Sequence, residues 1–382
     1  MLLRLNTDGS PDSAFGNSGI AGLAVMPDLA GGLRVQGIES VARLHDGSLF
    51  AAGTAVAGGP IQGFVVKITA EGLVDESFGI TGVALFPLYQ LHAVRIDALD
   101  RIVIAGEHYD GRRAAYVASV LRLKGSGALD LTFGKDGVFA ISGADTTASG
   151  SVRDIVLEPG GGIVAGGSFE TAGSGQGSNF SLIKLTDNGE LDGTFAGSGW
   201  RIFNAAGGIE RLARLNNGAI VFAGFRPSGD DRVGPVIGRV TPLGDTDVTF
   251  GDAQTPGYLV PDGLPQSTEV ADATSLLAQS DGKLIASFGY YASERENFFA
   301  IRASPGGTLD EGFASGGIFQ FDASQNGVFS EVGALLLQSD GRLVAAGRAQ
   351  ATSDQILIDF AAVRLLTSTD VIFYNGFDDS HL

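Results

Sequence analysis

The sequence predicts an all-β repeat array, and three observations predict it. An end mark of the form Asp-x-x-Phe-Gly/Ala recurs along the chain, apolar stretches of strand length alternate with turn residues, and glycine is abundant. The mark begins at Asp12, Asp75, Asp130, Asp192, Asp247 and Asp310, at intervals of 63, 55, 62, 55 and 63 residues. Self-similarity at such a period is the signature of stacked modules. Glycine supplies 58 of the 382 residues. Each interior glycine weakens a helix by about 1 kcal/mol, so this composition suits short strands and tight turns.

Each unit holds four apolar stretches. In the second unit they are Gly82–Phe86, His92–Ile96, Arg101–Gly106 and Tyr116–Leu123. Between the second and third stretches most units carry a turn pair: Asp46-Gly47, Asn217-Gly218, Asp281-Gly282, Asp340-Gly341, with Gly160-Gly161 as a variant. Such pairs tolerate the positive φ of a two-residue hairpin turn. The following stretch (Leu49–Gly53, Ile163–Gly167, Ile220–Gly224, Leu343–Gly347) is apolar without alternation, which predicts burial on both faces. Its terminal Ala-Gly steps are expected to let neighbouring sheets approach closely.

The phenylalanines of the end mark (Phe15, Phe78, Phe133, Phe195, Phe250, Phe313) are expected to plug the gaps between units. Full burial of each stabilises by about 1.5–3 kcal/mol. A cation stands eight residues before each aspartate: Arg4, Lys67, Arg122, Lys184, Arg239 and Arg302, with Arg364 continuing the series. In so acidic a chain this recurrence predicts a structural ion pair with the aspartate of the turn.

Four strands in about sixty residues match the blade of a β-propeller. Six four-stranded blades are the simplest closure, with the N-terminal strands completing the sheet begun by residues 332–365. Seven blades, the first having lost its inner strands upstream, is the alternative. Leu337–Gly347 and Leu73–Gly79 resemble the bacterial delta-60 repeat family, whose units read "LQpDGKIvvaG … RlnxdGslDxxFGxxG". The resemblance covers residues 1–366 and implies a propeller, but it supplies no catalytic motif. Local departures are Leu99-Asp100 at the turn, Phe288 in place of the strand-end glycine, and Ala196 and Ala314 after the phenylalanine. Residues 367–382 leave the pattern and read as a C-terminal tail. Within it Ile372–Asp378 resembles the short "IFxDGFE" endings of some secreted proteobacterial proteins, or else forms an extra edge strand.

Composition narrows the partners. The net charge of −18 with no basic cluster excludes a phosphate backbone, so nucleic acid is not expected. No run of 18 apolar residues offers a spanning helix. Cysteine is absent, which removes disulfides and thiolate metal sites. The chain enters a repeat strand at Met1-Leu2-Leu3-Arg4-Leu5 without a signal-like segment, so loss of an upstream piece is expected. Extracellular or cell-surface placement is the expectation drawn from the resemblances.

Chemistry is sparse. The four histidines (His45, His92, His108, His381) form no H-E-x-x-H or H-x-H pair, and no G-x-S-x-G elbow occurs. The Asp-Gly pairs lack a D-x-D-x-D-G loop with a distal glutamate, and Gly173–Gly177 lacks a βαβ context. No metal and no cofactor are therefore expected. Seven residues before the turn position stand Glu39, His92, Arg153, Glu210, Thr274 and Gly333. By analogy with other propellers this stretch lines the channel, making Glu39, His92, Arg153 and Glu210 the candidate ligand-binding set at its mouth. Longer connections at Ser168–Asn179, Arg226–Pro235 and Asp252–Ser267 read either as a binding rim or as drift of the repeat. The expectation is a non-catalytic binding or structural module for a protein, glycan or small molecule, not an enzyme. The alternative is a hydrolase or lyase using rim carboxylates and His92 as acid–base groups, which fails if His92 is remote from every carboxylate.

Overall fold

The computed structural model describes residues 2–16, 23–24, 34–56, 60–112, 114–141, 149–170, 178–229, 232–261, 269–292, 295–321, 330–338, 342–349, 359–365 and 371–374. The fold is all-β, a β-propeller of antiparallel four-stranded sheets. A two-stranded sheet pairs β1 (Leu2–Leu3) with β2 (Leu23–Ala24). The first four-stranded sheet runs β3 (Arg34–Arg43), β4 (Leu49–Val56), β5 (Gln62–Ile68) and β6 (Val83–Pro87) in spatial order. The second is β7 (Tyr89–Ile96), β8 (Ile102–Asp110), β9 (Ala115–Leu123) and β10 (Val138–Ala140). The third is β11 (Gly150–Leu157), β12 (Ile163–Glu170), β13 (Ser178–Leu185) and β14 (Trp200–Ala206). The fourth is β15 (Gly208–Arg214), β16 (Ile220–Gly229), β17 (Arg232–Val240) and β18 (Tyr258–Leu259). The fifth is β19 (Glu269–Ala278), β20 (Leu284–Ala292), β21 (Arg295–Ala303) and β22 (Ile318–Phe321). The sixth is β23 (Ser330–Leu337), β24 (Leu343–Ala349), β25 (Asp359–Leu365) and β26 (Val371–Tyr374). The chain forms two compact units, Met1–Ile202 and Phe203–Leu382.

The sequence repeat and the sheets are one strand out of phase. Val83–Pro87 is the last strand of the first sheet rather than the opening strand of the second. Each Asp-x-x-Phe mark thus joins the third strand to the fourth. The N-terminal strands do not complete the sheet of residues 332–365: Val371–Tyr374, within the segment read as a tail, pairs with Asp359–Leu365 instead. Residues 375–382, including His381, lie outside the described residues, as does the turn pair Asp340-Gly341. Arg226–Pro235 belongs largely to the two long strands β16 and β17, so it is no open loop. Ser168–Asn179 and Asp252–Ser267 fall partly outside the described residues.

The turns between first and second strands have three residues rather than two. Gly47 N–H donates to the Leu44 carbonyl at 3.1 Å, and Leu44 N–H to the Ser48 carbonyl at 2.8 Å. That is a type I turn closed by one residue at positive φ. Gly47 sits at φ 91°, and Asp100, in the divergent second unit, holds the same place at φ 56°. Aspartate tolerates this region better than most side chains, so the geometry survives the substitution.

Between the sheets the end mark acts as a clasp. Arg4, Arg122, Arg239 and Arg302 each donate Nε to Asp12, Asp130, Asp247 and Asp310, at 2.8, 2.8, 2.7 and 2.7 Å. Lys67 and Lys184 meet Asp75 and Asp192 at 2.6 and 3.5 Å. The side chain of Arg364 lies outside the described residues. The four guanidinium groups lie over the phenylalanines of their own marks, 4.4 to 4.8 Å from the ring centres. Arg4 Nη1 reaches the next sheet at the Ala70 carbonyl, 2.5 Å away, and Arg239 Nη1 at that of Pro305, 2.8 Å away. Arg122 does the same to Asp187.

Where the residue after the phenylalanine is glycine it adds a backbone bond to the following sheet, as in Gly16 to Glu71 and Gly79 to Ser126, both 2.9 Å. A Cβ at Gly72 would lie 2.5 Å from Gly16 N, so the close approach requires glycine there. Phe15, Phe78, Phe133, Phe195 and Phe250 are buried, and Phe313 is half-buried. Phe78 sits among residues of the first and second sheets, and Phe133 among those of the second and third.

Two predictions follow from the clasp. Arg122 is 2% exposed and its partner Asp130 6%, so Arg122→Met strands a buried carboxylate. It should cost about 3–5 kcal/mol in denaturant unfolding, against about 1 kcal/mol or less for Arg4→Met at the more exposed pair. The second concerns acid. Hydrogen bonds from Lys67 and then Ser77 hold the Asp75 carboxyl down at about 2. At Asp130 and Asp247 burial pushes upward, but the Thr132 and Thr249 hydroxyls and the paired arginines outweigh it, so both are lowered. Asp192 is lowered by Thr194, and Asp310 by Lys283. The unfolded chain therefore binds more protons, so stability is intact above about pH 4 and falls as pH drops toward 2. Denaturation midpoints measured from pH 5 to 2 should show that slope, and Asp75→Asn should shallow it.

Candidate active site

The first strands carry the site. Each has an irregular register, and the extra residue is one of the six aligned positions: Glu39, His92, Arg153, Glu210, Thr274 and Gly333. A bulge leaves one residue unpaired and re-aims its side chain. In the first four sheets a glycine inside the second strand makes room for it. A Cβ on Gly106 would lie 1.9 Å from the Gln90 carbonyl oxygen, and Gly53, Gly167 and Gly224 meet the equivalent oxygen at 1.9 to 2.0 Å. The Ala-Gly steps thus serve the bulge within their own sheet, which corrects the expectation that they let neighbouring sheets approach.

Consecutive first strands are stitched by the residue after the bulge. Ser40 Oγ accepts from Val94 N–H at 3.1 Å, and Ser275 Oγ from Leu335 N–H at 2.7 Å. Asp154, 3% exposed, accepts from Arg95 at 2.5 Å and from Ile155 N–H at 2.8 Å. These bonds fix the bulges on a stiff frame.

In the second sheet the bulge residue meets a carboxylate. His92 Nε2 lies 2.7 Å from Glu107 Oε2, and Ser151 Oγ donates to the same oxygen at 2.5 Å. His92 comes from β7, Glu107 from β8, and Ser151 from β11 of the next sheet. The side chains of His92 and Glu107 are 13% and 9% exposed, a partly dry pair still reachable from solvent. Arg153, the bulge residue of β11, lies two residues beyond Ser151 on that strand. Glu39 is exposed on β3 of the same compact unit. Glu210 is buried on β15, in the other compact unit. The structure therefore gathers His92 with two residues that sequence reasoning missed. Glu107 was visible as a break in the repeat: its aligned counterparts are Thr54, Ser168, Phe225, Gly289 and Arg348, none acidic. Among the described residues no three His, Asp or Glu gather as a metal site.

A family model described as "Domain of unknown function (DUF5122) beta-propeller" matches residues 2–15. No curated protein matches the chain. A solved protein from Lactobacillus plantarum is similar over 93% of this chain and 86% of its own, at 14% identity and TM-score 0.55. The polysaccharide lyase Uly1 covers 91% of this chain and 92% of its own, at 11% identity and TM-score 0.45. The α-L-arabinofuranosidase Arb93A from Fusarium graminearum covers 86% and 92%, at 11% identity and TM-score 0.47. Enzymes stand among these solved structures, so they do not support the expectation of a non-catalytic module, which is corrected on the site itself: the distance from His92 to Glu107 meets the condition on which the enzymatic alternative depended. At these identities the likeness shows the fold alone, and no substrate passes from them to this chain.

Gly106→Ala tests the support of the pair. The added methyl must push the Gln90 carbonyl and the bulge at His92, so unfolding free energy should fall by about 1–3 kcal/mol in denaturant melts.

Proposed function

We propose that the chain is a propeller hydrolase or lyase in which His92 and Glu107 perform acid–base catalysis. The single observation that carries this reading is the 2.7 Å contact between His92 Nε2 and Glu107 Oε2 at a bulge where the repeat is broken. Glu107 orients the imidazole and stabilises its protonated form, while Ser151 fixes the carboxylate oxygen. The imidazole nitrogen that Glu107 does not hold takes the proton. In hydrolysis that proton comes from the attacking water, whose oxygen bonds to the reacting carbon as the leaving group departs. In elimination it comes from carbon, the C–H electrons form a double bond, and the leaving group departs with its own electron pair. Arg153 offers a cation on the strand that holds Ser151, and Glu39 lies exposed on the neighbouring first strand of that unit.

We also read the repeats as delta-60 units and the protein as exported to the cell surface or beyond, supported by the aligned phrases and by the ending Ile372–Asp378. The test is a turnover screen on polysaccharides, aryl glycosides and esters with wild type, His92→Ala and Glu107→Gln. Each variant should lose about 10²- to 10⁴-fold in kcat/KM while keeping its melting temperature. A wild type inert across the panel, or two variants that keep full activity, overturns the reading.

A further inference from the structure

A cavity of about 600 Å³ lies between the first and second four-stranded sheets, and His92, Glu107 and Ser151 are not among its lining residues. It is walled by Ala84 and Phe86 of β6, Leu121 of β9, Val138 of β10 and Tyr89, with Ala128 among the lining residues, and no charged side chain lines it. A volume in this range suits a small organic molecule.

The internal repeat shows why the space is there. In the first five sheets the carbonyl of the glycine before the fourth strand accepts from the backbone N–H of the clasp residue: Gly82 from Lys67, Gly137 from Arg122, Gly199 from Lys184, Gly257 from Arg239, Gly317 from Arg302. The residue after that glycine is therefore structurally equivalent in these five sheets: Val83, Val138, Trp200, Tyr258 and Ile318. In the third sheet this position holds Trp200, packed against the hydrophobic cluster shared by the second and third sheets, its ring 6.1 Å from Phe169. In the fourth it holds Tyr258, whose ring lies 6.2 Å from Phe222 and 6.4 Å from Phe203. In the second sheet it holds Val138, and β10 spans three residues where β14 spans seven. Where two sister sheets insert an aromatic ring, this one leaves room.

We propose that this cavity binds a neutral, planar, apolar small molecule whose ring system takes the place of the missing aromatic side chain. The uncharged lining disfavours an ionic ligand, which would lose its hydration without a partner. The Tyr89 ring, which lies 6.3 Å from Phe86 and 5.1 Å from His108, offers an aromatic wall, and Ala128 of the lining is exposed to solvent. The hydrophobic ring contributes most of the affinity through the apolar area it removes from water.

The probe is N-phenyl-1-naphthylamine, neutral and fluorescent in apolar surroundings, titrated into the full chain. Wild type should bind it saturably at one molecule per chain. Val138→Trp should weaken that binding at least tenfold without lowering the melting temperature, because the same ring is accommodated at the equivalent place in the third sheet. Ala128→Trp, at an exposed residue of the rim, should weaken it similarly even if Val138→Trp folds poorly. His92→Ala should leave it unchanged, so this result and the catalytic screen stand or fall separately. Absence of saturable binding, or equal binding in both tryptophan variants, overturns the proposal.

Discussion

A cation eight residues ahead of an aspartate holds this architecture together. Arginine serves it better than lysine, because one planar guanidinium can donate in two directions and stack on a ring at once. At Arg122 those three contacts go to Asp130, to Asp187 of the next sheet and to Phe133. The charge is buried, yet its desolvation is offset by hydrogen bonds on several sides. Each four-stranded sheet alone would leave greasy faces in water. The clasp ties the turn of one sheet to the turn of the next, so that the phenylalanine is sealed between them.

A frame so regular would be chemically mute if every unit were identical. The bulge in each first strand supplies a re-aimed side chain at a fixed height, and in four sheets a glycine in the facing strand leaves room for it. Those positions are filled differently from unit to unit. Only where the bulge residue is histidine does the facing second strand carry a glutamate in place of a small, apolar or basic residue. The adjoining first strand then adds a serine hydroxyl to the same carboxylate. A polar trio at the edge of a buried strand is a departure from the repeat that core packing does not require, since neighbouring units fold with Thr54 or Phe225 at the position of Glu107.

Much of the fold was legible in the residues. The Asp-x-x-Phe spacing located every clasp, the unbroken apolar stretches located the buried second strands, and the Asp-Gly pairs located the turns. The phase of the repeat was not legible, because a repeating string has no preferred starting point and only strand pairing shows that Val83–Pro87 closes the first sheet. For the candidate site, His92 was found by alignment within the chain. Glu107 and Ser151 were missed because they lie 15 and 59 residues away from it, on other strands, and belong to the set only through the bulge and the packing of first strands.

By itself the sequence determined that the chain is a stack of like β-modules, since period, turn chemistry and the cation–aspartate spacing are local properties written into each unit. Tertiary structure alone decided which side chains from different units converge. Convergence depends on how strands from separate sheets are brought side by side, and on a one-residue slip in register that turns a side chain toward its neighbour. In four sheets a glycine in the facing strand leaves room for that slip, and the sequence shows that glycine without showing what it makes room for.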